Sequence, residues 1–148
     1  MKKTLLFILI LGLLFSCEDR SAATEYKWER DSNTRAIRTT DQAYLYSVSK
    51  AQAELATFTS IFSQRHDSLD FYIKASFTDE NGTEHMWVDV YSILKDTAFG
   101  TLGNDAIKVK YLQFGDSVNI ALNKIEDFTI YKNDSVIAGD FLNQALSK

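Results

Sequence analysis

Between residues 41 and 63 the apolar positions Tyr44, Val48, Ala51, Leu55, Phe58 and Phe62 recur at alternating steps of four and three. That spacing lays one buried stripe along a helix. One long helix of about 23 residues, roughly 35 Å, is therefore predicted. Thr39 and Gln42 stand at capping-box spacing, with Asp41 as the alternative cap. From Leu69 the period changes to two. Leu69, Phe71, Ile73, Ala75 and Phe77 alternate with Asp70, Tyr72, Lys74, Ser76 and Thr78. Asn81-Gly82 follows, a dipeptide that favours a two-residue hairpin turn because both positions accept positive φ. A turn there sets Phe77 against Met86, Ala75 against Val88 and Ile73 against Val90 on one face. The other face then pairs Lys74 with Asp89, Tyr72 with Tyr91, Ser76 with Trp87 and Thr78 with His85.

Downstream, Gly100, Gly103 and Asn104 make residues 95–106 loop-like. Ile107, Val109 and Tyr111 alternate with Lys108 and Lys110. Phe114-Gly115-Asp116 reads as a turn, and Val118, Ile120 and Leu122 alternate again. Residues 128–131 and 135–138 flank Asn133-Asp134, a second hairpin turn that sets Ile130 against Ile137 and Tyr131 against Val136. Asp140 is placed to cap a short final helix carrying Phe141, Leu142, Ala145 and Leu146. The predicted class is α+β: one long N-terminal helix packed on an antiparallel sheet of hairpins, with a short C-terminal helix.

The N-terminus follows another pattern. Lys2 and Lys3 precede an apolar run from Leu5 to Phe15, too short to span a bilayer as an ordinary helix. The layout is that of a secretory signal. Leu14-Phe15-Ser16-Cys17 resembles the bacterial lipobox. The resemblance implies cleavage between Ser16 and Cys17 and acylation of Cys17, and two or more acyl chains hold a protein stably on a membrane. Residues 18–38 hold ten charged side chains in 21 and no sustained period, so they are expected to act as a flexible tether. The expected organisation is a lipoprotein signal over 1–16, lipidated Cys17 and tether over 17–38, and a single α+β domain over 39–148.

Composition narrows the function classes. Cys17 is the one cysteine, so neither an intrachain disulfide nor a thiolate zinc cluster can form. The net charge is −4, which argues against nucleic-acid binding. Losing residues 1–16 removes two lysines and leaves 14 basic against 20 acidic side chains, a net of −6. Such a body gains nothing overall from anionic headgroups, so the acyl chains are expected to do the holding.

The stretches Phe71-Tyr72-Ile73-Lys74-Ala75-Ser76-Phe77 and Glu84-His85-Met86-Trp87-Val88 resemble the bacterial domain-of-unknown-function 2314 family, the YegJ-like proteins. Phe99-Gly100-Thr101-Leu102, Phe114-Gly115-Asp116-Ser117-Val118 and Ile125-Glu126-Asp127-Phe128 extend the resemblance, which covers roughly residues 41–146. It implies a domain boundary and carries no catalytic residue.

Chemistry is sparse. No Gly-x-Ser-x-Gly elbow or phosphate-binding glycine loop is present, and His66 and His85 are the only imidazoles. Their spacing is not that of a metal pair, so no metal or other cofactor is expected. Tyr72, His85, Trp87 and Tyr91 share one predicted sheet face and form a candidate binding face. The expected function is a membrane-anchored, non-catalytic binding module of the bacterial cell envelope, facing the periplasm or the cell surface. Its partner would be a protein or a small molecule. The alternatives are an enzyme using His85 and Asp89, or an immunity or inhibitor protein.

Overall fold

The computed structural model describes residues 38–147, so the signal, Cys17 and most of the tether lie outside the described residues. The elements are α1 (Gln42–Ala53), α2 (Leu55–Ser63), β1 (Leu69–Asp79), β2 (Gly82–Leu94), β3 (Thr97–Leu102), β4 (Ser117–Ala121), a 3₁₀ turn (Leu122–Lys124), β5 (Asp127–Lys132), β6 (Ser135–Gly139) and α3 (Phe141–Leu146). The class is α+β, with one six-stranded antiparallel sheet in the order β4-β3-β2-β1-β5-β6 among the described residues.

The single long helix is corrected to two, of 12 and nine residues. Glu54 leaves the helical region at φ −103°, ψ 10°, and its carboxylate is drawn back to Lys50 Nζ at 3.3 Å. The stripe still runs across the break: Ser47, Ala51, Phe58 and Phe62 are the buried positions. Phe58 meets Phe71 edge-on at 5.9 Å and Phe128 at 4.9 Å. Those contacts seat α2 on the sheet face that carries Ile73, Ala75, Met86 and Val88, all buried.

The first hairpin turns one residue earlier than predicted. Asp79 pairs with Gly82, leaving Glu80 and Asn81 in the turn. The cause is local: the Asn81 N–H donates to the Asp79 carboxylate at 2.7 Å, and Gly82 takes the positive φ (+134°) just after it. Partners therefore slide by two residues, to Ile73↔Val88, Ala75↔Met86, Phe77↔Glu84, Lys74↔Trp87, Tyr72↔Asp89 and Ser76↔His85. A slip of two keeps every side chain on its face, because the strand period is two.

Two further corrections follow downstream. Residues 97–102 form β3 rather than loop. Gly100 is a close-approach glycine, not a breaker: a Cβ there would lie 2.2 Å from the Asp89 carbonyl oxygen. It sits opposite Val90, next to the bulge that Tyr91 makes in β2. Residues 103–116 contain no strand. They form a loop pinned by carboxylates: Glu84 accepts the N–H of Ile107 at 2.9 Å and of Lys108 at 3.0 Å, and Asp79 accepts that of Lys110 at 2.7 Å. Val109 is the buried plug of this loop.

The Asn133-Asp134 turn forms as predicted, with φ +48° and +63°, and Tyr131 faces Val136. A bulge moves the partner of Ile130 from Ile137 to Ala138. Asp140 precedes α3 but makes no side-chain cap. The cap comes from Asp127, whose carboxylate accepts the N–H groups of Phe141 at 3.2 Å and Leu142 at 2.9 Å.

The link from β4 to β5 is short. In a flat sheet those strands would stand four spacings, about 19 Å, apart. A link containing a 3₁₀ turn, which advances about 2 Å per residue, does not cover that distance in five residues. The sheet is therefore curled, bringing β4 back towards β1. Gln52 of α1 braces the link by donating to the carbonyls of Leu122 at 3.1 Å and Ile125 at 2.6 Å.

Candidate functional site

The observed register gathers Tyr72 and Lys74 of β1 with His85, Trp87 and Asp89 of β2 on one face. None of Tyr72, His85, Trp87 and Tyr91 is buried, and Tyr91, at the bulge, is 54% exposed. Lys74 Nζ lies 5.3 Å from the centre of the Trp87 ring, a cation–π arrangement. Tyr72 meets Tyr131 of β5 edge-on at 5.9 Å. The aromatic side chains thus stand alternately against a cation and against each other.

His85 is the most constrained member. Its Nδ1 lies 2.6 Å from Glu126 Oε2. An ionised carboxylate only accepts, so Nδ1 carries the proton and donates. Tyr44 of α1 meets the imidazole edge-on at 5.4 Å, and its hydroxyl hydrogen-bonds the same carboxylate. Burial, and then the Glu126 charge, raises the Tyr44 phenol well above its ordinary value. Glu126 is 8% exposed. Its backbone N–H donates to the Lys74 carbonyl at 2.8 Å, which anchors the entry to β5 beside β1.

Lys74 is held below its usual pKa by burial, against the opposing pull of Asp127, Glu126 and Asp140. Asp127 is pushed up by burial, although the N–H groups of Leu142, Phe141 and Phe128 work the other way. Asp140 is likewise raised by burial. These partly desolvated charges form a cluster that crosses from β1 to the start of β5 and on to the link between β6 and α3.

The arrangement differs from the predicted one. His85 faces Ser76, whereas Thr78 bonds Thr83 at 2.8 Å between hydroxyl oxygens. Asp89 stands four residues along β2 from His85, about 13 Å in a strand. It lines a different cleft, of about 480 Å³, with Arg65, His66, Asp67, Asp70 and Tyr91. Burial and the neighbouring Asp70 raise the Asp89 carboxyl. Among the described residues no group of three or more His, Cys, Asp or Glu side chains could hold a metal ion.

Nothing in the local sequence pattern marks Tyr44 as a site residue, and little marks Glu126. Tyr44 reads as one more member of a helical stripe. A signal for Glu126 exists: Glu126-Asp127 is an acidic pair between Ile125 and Phe128, where an apolar run would otherwise begin a strand.

A family model described as an uncharacterized protein conserved in bacteria (DUF2314) matches residues 41–148. The curated "Uncharacterized protein YegJ" of Escherichia coli (strain K12) is 26% identical over 98 residues, 66% of this chain and 63% of that protein. The chain thus spans less than two thirds of that relative. No solved structure gives a significant match.

Proposed function

The chain belongs to this DUF2314 family of uncharacterised bacterial proteins, and we propose that it is an envelope lipoprotein, anchored through Cys17, whose body is a non-catalytic binding module. The observation that supports the body's role is the accessible face of Tyr72, His85 and Trp87, with Lys74 against Trp87 and Tyr91 exposed at the bulge farther along β2. Two aromatic rings, an imidazole with its tautomer fixed and an exposed tyrosine offer a partner apolar area and directed polar contacts. The anchor rests on Lys2, Lys3, the apolar run and Ser16-Cys17. Among the described residues no helix is long and apolar enough to cross a membrane.

The proposal is tested in two arms. Cells expressing Cys17→Ala are expected to yield protein that takes up no labelled palmitate and leaves the membrane fraction. Unchanged retention of that variant would remove the anchor. Full-length protein isolated from membranes is expected to carry a partner that Trp87→Ala loses while keeping its circular dichroism and melting temperature. Equal recovery of that partner with the variant would remove the face.

A hydrolytic reading would centre on His85 with Glu126, the pair at bonding distance, and not on His85 with Asp89. Turnover abolished by Glu126→Gln in a folded variant would favour that reading.

A further inference from the structure

β1 is longer than the strand beside it. β2 accompanies it as far as Asp79, but the β5 ladder covers only Leu69 to Lys74. The Lys74 carbonyl points to the β5 side, since it accepts the Glu126 N–H there. Backbone groups alternate along a strand, so the N–H and C=O of Ser76 and Thr78 point the same way. No ladder partner meets them among the described residues.

β4 presents a matching edge. Its neighbour is β3, and the flanking bonds (Asp116 carbonyl to the Leu102 N–H, Leu122 N–H to the Asp96 carbonyl) turn the even-numbered residues towards β3. Ser117 and Asn119 therefore direct their N–H and C=O outwards. Because the sheet is curled, the two open edges border one groove. Ser76, Phe77 and Thr78 line it from β1, residues 117–120 from β4, and Tyr111 and Leu112 from the loop, around about 500 Å³. Phe77, Leu112, Val118 and Ile120 make an apolar floor, with hydroxyl and amide side chains at the rim. No lining residue is charged, although a quarter of the chain is.

We propose that this groove is a peptide-binding slot that takes one extended, uncharged segment of a partner protein by strand addition. An unpaired strand edge is a template for another strand, and main-chain bonds supply affinity while alternate side chains supply register. The fitting segment is about as long as β4, five residues. It turns apolar side chains to the floor and small polar ones outwards. Three successive antiparallel pairings set β1 and β4 in opposite directions, so the guest runs antiparallel to one edge and parallel to the other. The exposed edge strand β6 of a second copy is a poorer guest, because one of its own edges is already bonded to β5. The slot shares no lining residue with the aromatic face, which it adjoins where Ser76 stands opposite His85, so either can fail alone.

The experiment uses the full chain and the acetylated, amidated pentapeptide Val-Thr-Val-Thr-Val. The amides of Ser76, Thr78, Ser117 and Asn119 are expected to exchange rapidly in the free protein and become protected on saturable peptide binding. Asn119→Pro removes an outward donor without touching the β3 ladder, and is expected to weaken binding about tenfold or more. Should that variant misfold, a peptide N-methylated at its central residue tests the same strand addition on the native protein from the guest's side, by removing a donor to an outward carbonyl, with a similar expected loss. A peptide with Lys and Glu in place of the valines is expected not to bind. Absence of binding, equal binding by the charged or N-methylated peptide, or amides already protected in the free chain would each overturn the slot.

Discussion

Two carboxylates of this domain do the same job in opposite surroundings. Asp127, 1% exposed, holds the start of α3 by accepting the N–H groups of Phe141 and Leu142, along with that of Phe128. Asp79, at the hairpin tip, holds the loop over residues 103–116 by accepting the N–H of Lys110, along with that of Asn81. Hydrogen bonding favours the ionised form in both. Burial dominates at Asp127 and raises its pKa, whereas at partly exposed Asp79 the Lys110 N–H dominates and lowers it. Folding thus favours the ionised form of Asp79 and disfavours that of Asp127. The buried one is retained because removing it would orphan buried N–H groups.

The largest expected effect is at the buried end. Asp127→Ala leaves N–H groups without an acceptor in a dry site and is expected to cost about 3 kcal/mol in urea unfolding of the full chain. Asp127→Asn keeps one acceptor oxygen and no charge, and should recover part of that loss. Glu84→Ala is expected to cost about 1 kcal/mol, while accelerating hydrogen exchange at Ile107 and Lys108 and leaving Phe141 and Leu142 unchanged. Asp79→Ala should be smaller again, read as faster exchange at Lys110 alone. If the loop variants melted the whole domain as Asp127→Ala does, the contrast between the two regions would be lost.

The two carboxylates also differ in pH dependence. The Asp127 pKa is higher folded than its ordinary 3.8, so the folded state binds the proton more tightly. Its contribution to stability therefore rises as pH falls from neutral towards 4. Asp79 is lower folded, so its contribution is fully present above 3.8 and is lost as pH falls through the depressed value. Denaturation across pH should show Asp127→Asn flattening the profile on the neutral side of 4. Asp79→Asn should change it only on the acid side.

Legibility followed the range of the interactions. The alternation in β1 and β2 assigned the faces correctly, and the Asn133-Asp134 turn was readable because both residues accept positive φ. The register of the first hairpin was not, since the Asp79 side chain chose among turn positions one residue apart. Gly100 signals a loop on its own, and only the neighbouring backbone of Asp89 explains why a strand needs glycine there. At the candidate site His85 and Trp87 were evident from their strand. Glu126 lies 41 residues from His85, and no periodicity links them.

From the order of residues alone came the class of the domain, its strand faces and its second hairpin turn. These depend on local periodicity and turn chemistry, which a chain carries without knowing its neighbours. The tertiary structure alone decided which carboxylate caps α3, which acid holds His85, and that β1 and β4 border one groove. Those outcomes require segments distant in sequence to meet, and burial, not residue type, then sets how each group behaves.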